Sequence, residues 1–174
     1  VDLKNSLFIV SSKSGSTLEP NIFKQYFFDR VTQLVGAKAA GRHFIAVTDP
    51  NTSLEALARK RNFRKIFSAD EFVGGRYSAL TDFGLVPAAL LGMDLNQLLD
   101  RADWMRAQCG EHVPAARNPG MALGAVLGQA ALEGRDKLTV MADAPLSAFA
   151  GWVEQIVAES SGKLGKGILP VPLE

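Results

Sequence analysis

Three short apolar runs, Leu7–Val10, Phe44–Val47 and the pair Ile66–Phe67, are separated by stretches whose apolar residues recur at helical spacing. Brief apolar runs bounded by polar residues read as buried strands. Strand, helix, strand, helix, strand at this spacing implies parallel strands joined by right-handed crossovers. The expected fold class is α/β, a three-layer α/β/α sandwich around a parallel sheet.

Local signals sharpen this outline. After the first run, Pro20 is tolerated in an opening helical turn, where a missing N–H costs nothing. Ser16 and Glu19 have capping-box spacing. Phe23, Phe27, Val31 and Leu34 fall on one helical face. Gly36 and Gly41 bracket the exit. Asp49-Pro50-Asn51 makes a turn, Thr52 or Ser53 can cap the next helix, and Leu54, Leu57 and Ala58 line its inner side. The second half is more helical. Ala79–Met93 is almost wholly apolar and is expected to be buried. Leu95–Cys109 reads as an amphipathic helix. Met121–Leu132 reads as a further helix, with Gly120, Gly124 and Gly128 spaced to admit a close neighbour. Leu138–Met141 reads as a strand, Leu146–Glu159 as a helix, and Gly162, Gly165 and Gly167 as the end of regular order.

With 47% apolar residues the chain can bury a substantial core. Its 19 basic and 18 acidic residues leave a net charge of +1. That balance gives no electrostatic reason to expect nucleic acid or a membrane surface as partner. No apolar run approaches the roughly 18–20 residues that span a bilayer, and no signal peptide is evident. The single cysteine, Cys109, cannot form an internal disulfide, which fits a reducing, cytoplasmic setting. It reads as a structural thiol. Val1 stands directly before a strand and suggests an excised segment; Leu173-Glu174 resembles a scar ahead of a purification tag.

Three segments can carry chemistry. Ser12-Lys13-Ser14-Gly15-Ser16-Thr17 lies between a strand's carboxyl end and a helix's amino end. Such a loop collects backbone N–H groups and the positive end of a helix dipole. Its hydroxyls, its ammonium and a permissive Gly15 suit a phosphate dianion, although an ordinary polar loop has the same composition. The spacing is not that of a P-loop, and no strand leads into Gly-x-Gly-x-x-Gly, so no nicotinamide cofactor is expected. Gly74-Gly75-Arg76-Tyr77-Ser78 can hold a guanidinium in a fixed pose or simply present a solvated arginine. Gln155 and Glu159, four apart, share a helical face, where Glu159 is a base or a solvated carboxylate. Lys163 and Lys166 between glycines read as a mobile loop or as a second anion nest. His43 reads as structural and His112 as solvated, and no cluster has metal-ligand spacing.

In order, Ser-Lys-Ser-Gly-Ser-Thr-Leu-Glu at 12–19, Gly-Gly-Arg-Tyr-Ser at 74–78, and Gln155 with Glu159-Ser160-Ser161-Gly162-Lys163 resemble the glucose-6-phosphate isomerase family. The likeness runs from Leu7 to about Pro170, and the apolar style is similar to bacterial versions fused to a transaldolase. It implies a sugar-isomerase, flavodoxin-like fold. Residues 1–94 would be the end of a first sugar-isomerase subdomain, and 95–174 the start of a second. It implies interconversion of glucose 6-phosphate and fructose 6-phosphate through an enediolate, without cofactor or metal. Ser12, Ser14 and Thr17 would grip the phosphate, helped by the backbone N–H groups of Lys13 and Gly15. Arg76 would stabilise the enediolate, Glu159 would move the proton between C2 and C1, and Gln155 would contact the same carbons. The family works as a homodimer, with a ring-opening histidine from the partner, a lysine near the C-terminus and a further phosphate loop upstream. Neither His43 nor His112 has that histidine's context, so this chain is expected to be an incomplete segment with little activity alone. A non-catalytic sugar-phosphate-binding domain needs only the loop at 12–17, and a purely structural fragment needs no pocket.

Overall fold

Alternation along the strands sets the layers. In the computed structural model, which describes residues 1–172, the first apolar run is β1 (Phe8–Ser11). It leads to α1 (Leu18–Val35), the short α2 (Ala37–Ala40), β2 (Phe44–Thr48), α3 (Ser53–Lys60), β3 (Lys65–Ser68) and α4 (Asp82–Leu90). The three strands are parallel in the order β1-β2-β3. All of β2 is buried, as a central strand covered on both faces must be. Phe44 and Ala46 join Val10 in a core with Phe28 and Val31 of α1, Leu54 and Ala58 of α3, and Phe63. Ile45 and Val47 point the other way, against Phe67 of β3 and Phe83 and Val86 of α4. Helices therefore cover both faces of the sheet, giving the expected three layers.

The chain divides into two compact units, Val1–Leu95 and Asn96–Glu174. The second begins with nearly all of α5 (Leu95–Gln108) and continues through α6 (Pro119–Leu132), β4 (Lys137–Val140), α7 (Ser147–Ser161) and β5 (Leu169–Pro172). β4 and β5 pair in parallel. Asn118 caps α6 by accepting the Met121 N–H at 3.0 Å, and Pro119 follows at the first helical position. The helix so begins two residues earlier than its apolar run indicates.

Several sequence expectations need correction. On α1 the buried residues are Phe28 and Val31, while Phe23 is 62% exposed. Ser16 does not cap α1: the N-cap residue is Thr17, whose hydroxyl is engaged with that of Ser12. The 79–93 stretch is not wholly buried. Val86 is, but Leu80, Leu90, Leu91 and Met93 are exposed, because a helix turns only one face to a three-stranded sheet. A side chain at Gly120 would meet the Cys109 sulfur, whereas Gly124 and Gly128 face open space. Order also resumes beyond Gly167, as β5. Lys163 and Lys166 exchange backbone hydrogen bonds of 2.9 and 3.0 Å across a tight turn, with Leu164 and Gly165 at φ +54° and +72°. Leu173 and Glu174 lie outside the described residues.

Candidate functional site

The loop after β1 is held in place by its own hydroxyls and by the elements beneath it. Ser12 is buried, and its N–H donates to the Val47 carbonyl at 3.1 Å. Its Oγ lies 3.0 Å from Thr17 Oγ1, closing the loop across its base. Ser14 and Ser16 pair through their hydroxyls at 2.7 Å. Gly15 has φ +69°, and a Cβ there would lie 2.9 Å from the Leu54 nitrogen. Glycine is therefore required both by the backbone conformation and by the close approach to α3. The Gly15 carbonyl accepts from Asn21 Nδ2 (3.0 Å) and Ser53 Oγ (3.1 Å), which ties the loop to the starts of α1 and α3. The positive end of the α1 dipole points into this loop.

The turn below it is also anchored. Thr52 caps α3 by accepting the Glu55 N–H at 3.2 Å. Glu55 in turn accepts from the Asn51 N–H (2.7 Å) and from Arg59 (2.6 Å). The Arg59 guanidinium, then the Asn51 N–H, hold the Glu55 carboxyl below its ordinary pKa.

Across from the serine loop lies the second motif. Ser11, Ser12 and Lys13 share a cleft of about 220 Å³ with Gly75, Ser78 and Phe83. Residues 75–80 form a turn of 3₁₀ helix in which Ser78 Oγ donates to the Gly75 carbonyl at 2.6 Å. The fold thus gathers, at the carboxyl ends of the strands, two segments some sixty positions apart in the chain. Arg76 is half-buried, with its guanidinium 5.3 Å from the Tyr77 ring centre. Sequence reasoning gave no role to Ser11, Ser78 or Phe83. Ser78 stood inside a noted motif, but Phe83 was hidden in an apolar run with nothing to set it apart.

A larger cleft of about 400 Å³ borders β1 and α1, lined by Phe8, Phe23, Phe27 and Phe44 among others. Its walls are mainly apolar, so it has few donors for an anion.

The third motif occupies α7, in the second unit. Gln155 Nε2 donates to Glu159 Oε1 at 3.3 Å, and both side chains are exposed. Lys163 Nζ reaches back to the Glu159 and Ser160 carbonyls at 2.8 and 3.2 Å, closing the helix end. Ser161 Oγ donates to the Val157 carbonyl and accepts the Ile168 N–H, linking that end to the approach of β5. His43 Nδ1 lies 3.1 Å from the Ser6 carbonyl, and His112 is exposed beside Glu111. Cys109 is an exposed free thiol. Among the described residues no group of His, Cys, Asp and Glu is arranged to hold a metal, and no helix is long and apolar enough to cross a membrane.

A family model described as phosphoglucose isomerase matches residues 1–167, taking in all three motifs. The chain belongs to the phosphoglucose isomerase family. Among its relatives, the glucose-6-phosphate isomerase of Parabacteroides distasonis is 32% identical over 166 residues, which are 94% of this chain and 37% of that protein. That of Methanocaldococcus jannaschii is 32% identical over 172 residues, 98% of this chain and 41% of the relative. A crystal structure of a hypothetical protein from Thermus thermophilus superposes with a TM-score of 0.88 at 30% identity, over 99% of this chain and 42% of that one. A glucose-6-phosphate isomerase from Chlamydia trachomatis gives a TM-score of 0.75 at 27% identity, over 94% of this chain and 31% of that one. The chain thus spans between 31% and 42% of the length of these proteins.

Proposed function

We propose that this chain carries part of the active site of a glucose-6-phosphate isomerase, interconverting glucose 6-phosphate and fructose 6-phosphate. The observation that carries the reading is the cleft shared by the serine loop and the Gly75–Ser78 turn, in a chain of this family.

In this reading Ser12, Ser14 and Thr17 hold the sugar phosphate through their hydroxyls, and the Lys13 and Gly15 N–H groups add donors. The helix dipole of α1 favours the same dianion. Glu159 takes the proton alpha to the carbonyl and returns it to the neighbouring carbon, which moves the carbonyl between C1 and C2. The enediolate formed on the way needs a fixed positive group, and Arg76 is charged at every physiological pH. Gln155, bonded to Glu159, orients that carboxylate and contacts the reacting carbons. The first unit would be the end of one sugar-isomerase subdomain and the second the start of another, within a cytoplasmic homodimer.

A coupled assay for glucose 6-phosphate formed from fructose 6-phosphate tests the reading. A full-length protein containing this segment is expected to turn over, and the 174-residue chain alone to show little or no activity. No turnover by the full-length protein would contradict it.

A further inference from the structure

Lys13 is the one cation within the serine loop, and its ammonium is committed to the fold. Nζ lies 2.6 Å from Asp49 Oδ2 and 3.2 Å from each of the Asp70 and Glu71 carbonyls. An ammonium has three N–H donors, and these acceptors use all of them. They belong to the exits of β2 and β3, so one side chain links the exits of all three strands.

The backbone joins these exits only in pairs, and no one group of it reaches all three. The Asp49 N–H and Thr48 Oγ1 tie the β2 exit to the Lys13 carbonyl, at 3.1 and 3.3 Å. Among the described residues the β3 exit bonds to β2 once, through the Ala69 N–H to the Thr48 carbonyl at 2.9 Å. Beyond Ala69 the chain is exposed at Asp70, Glu71 and Phe72 until it reaches the Gly75–Ser78 turn. Lys13 grips this segment at its root. Asp49 matters in turn because its side chain is only 15% exposed and its Oδ1 is buried without a hydrogen-bond partner. A half-buried carboxylate in that state depends on Lys13 for neutralisation.

We propose that Lys13 and Asp49 are positioning residues, a strut that holds residues 70–78 against the serine loop, and that the Lys13 ammonium is not a phosphate ligand. The inference rests on the phosphate reading of the loop. It fixes a sign that electrostatics alone would reverse. Were the ammonium a ligand, Asp49→Asn would remove a repelling carboxylate, release the cation and tighten phosphate binding. In a strut, the same change loosens the Gly75–Ser78 side of the cleft and weakens binding.

The test uses the 174-residue chain with Asp49→Asn, Lys13→Met and the double variant. Inorganic phosphate and fructose 6-phosphate are titrated by calorimetry at fixed ionic strength, and hydrogen exchange at 70–78 is followed without ligand. Each single variant is expected to weaken fructose 6-phosphate binding roughly tenfold. The double variant should be no weaker than the worse single one, as members of one unit behave. Exchange at 70–78 should rise in each variant while that of β2 stays unchanged. Tighter phosphate binding by Asp49→Asn, or unaltered exchange at 70–78, overturns the proposal. Should Lys13→Met fail to fold, Asp49→Asn decides alone through its sign. If the unaltered chain binds neither ligand, the phosphate reading fails, and the exchange data still decide the strut.

Discussion

Glu159→Gln in a full-length protein carrying this segment is expected to lower kcat by a factor of about 10²–10⁴, the usual contribution of a general base. The substitution keeps the shape of the side chain and its place four residues from Gln155 on α7, but removes the carboxylate that in the proposed reading takes the proton. Binding of fructose 6-phosphate should change little, since in this account the phosphate is held by the serine loop and not by Glu159. The loss should therefore fall on kcat and leave KM nearly as it was. Steady-state assays of the two proteins, with a separate binding titration, distinguish the roles. A protein that merely binds sugar phosphates would be indifferent to the change. A rise in KM at unchanged kcat would assign Glu159 to binding instead of proton transfer.

Phe44→Ala should have the largest effect on stability, about 3–5 kcal/mol. Phe44 is fully buried at the start of β2 and sits among three other rings. The Phe8, Phe28 and Phe63 ring centres lie 4.9, 5.2 and 5.3 Å away. Those partners come from β1, α1 and the α3–β3 turn, so truncation leaves a cavity where three elements meet. The surroundings can refill it only by moving a strand or a helix, which close-packed interiors resist. Urea denaturation of the two chains measures the difference directly. A loss below about 1 kcal/mol would mean that this cluster is not the keystone of the first unit.

The first unit was more legible than the second, for physical reasons. Short apolar runs flanked by polar turns give strands a plain signature, and β1, β2 and β3 each fall within a residue or so of theirs. The helical period marks α1 but does not settle which of its phenylalanines is buried. Phe23 and Phe28 are equally apolar, and only the sheet beneath decides that Phe28 is buried. Strand β5 escaped because Pro170 and Pro172 weigh against a strand and glycines precede it. The small-residue spacing in α6 suggested a tight neighbour that only Gly120 has, since spacing alone does not specify a partner.

At the site, the three motifs were legible as residue types in order, but their connections were not. That Ser12 and Thr17 close the loop on each other is a short-range bond, within reach of sequence reasoning. The role of the Lys13 side chain was beyond it. Its acceptors lie 36, 57 and 58 positions away and include two backbone carbonyls, which leave no mark on composition. Nor did any pattern single out Ser11, Ser78 and Phe83 as walls of one cleft. These follow only once parallel strands bring their carboxyl ends to one edge.

The most direct test of the central claim is a titration of the ¹⁵N-labelled chain with fructose 6-phosphate, followed by amide NMR. Saturable shifts at residues 12–17 and 75–78, reproduced by inorganic phosphate at the serine loop alone, are the expected result. Amides at 12–17 that stay unmoved to saturating ligand, or shifts confined to other regions, would contradict a phosphate site at this loop.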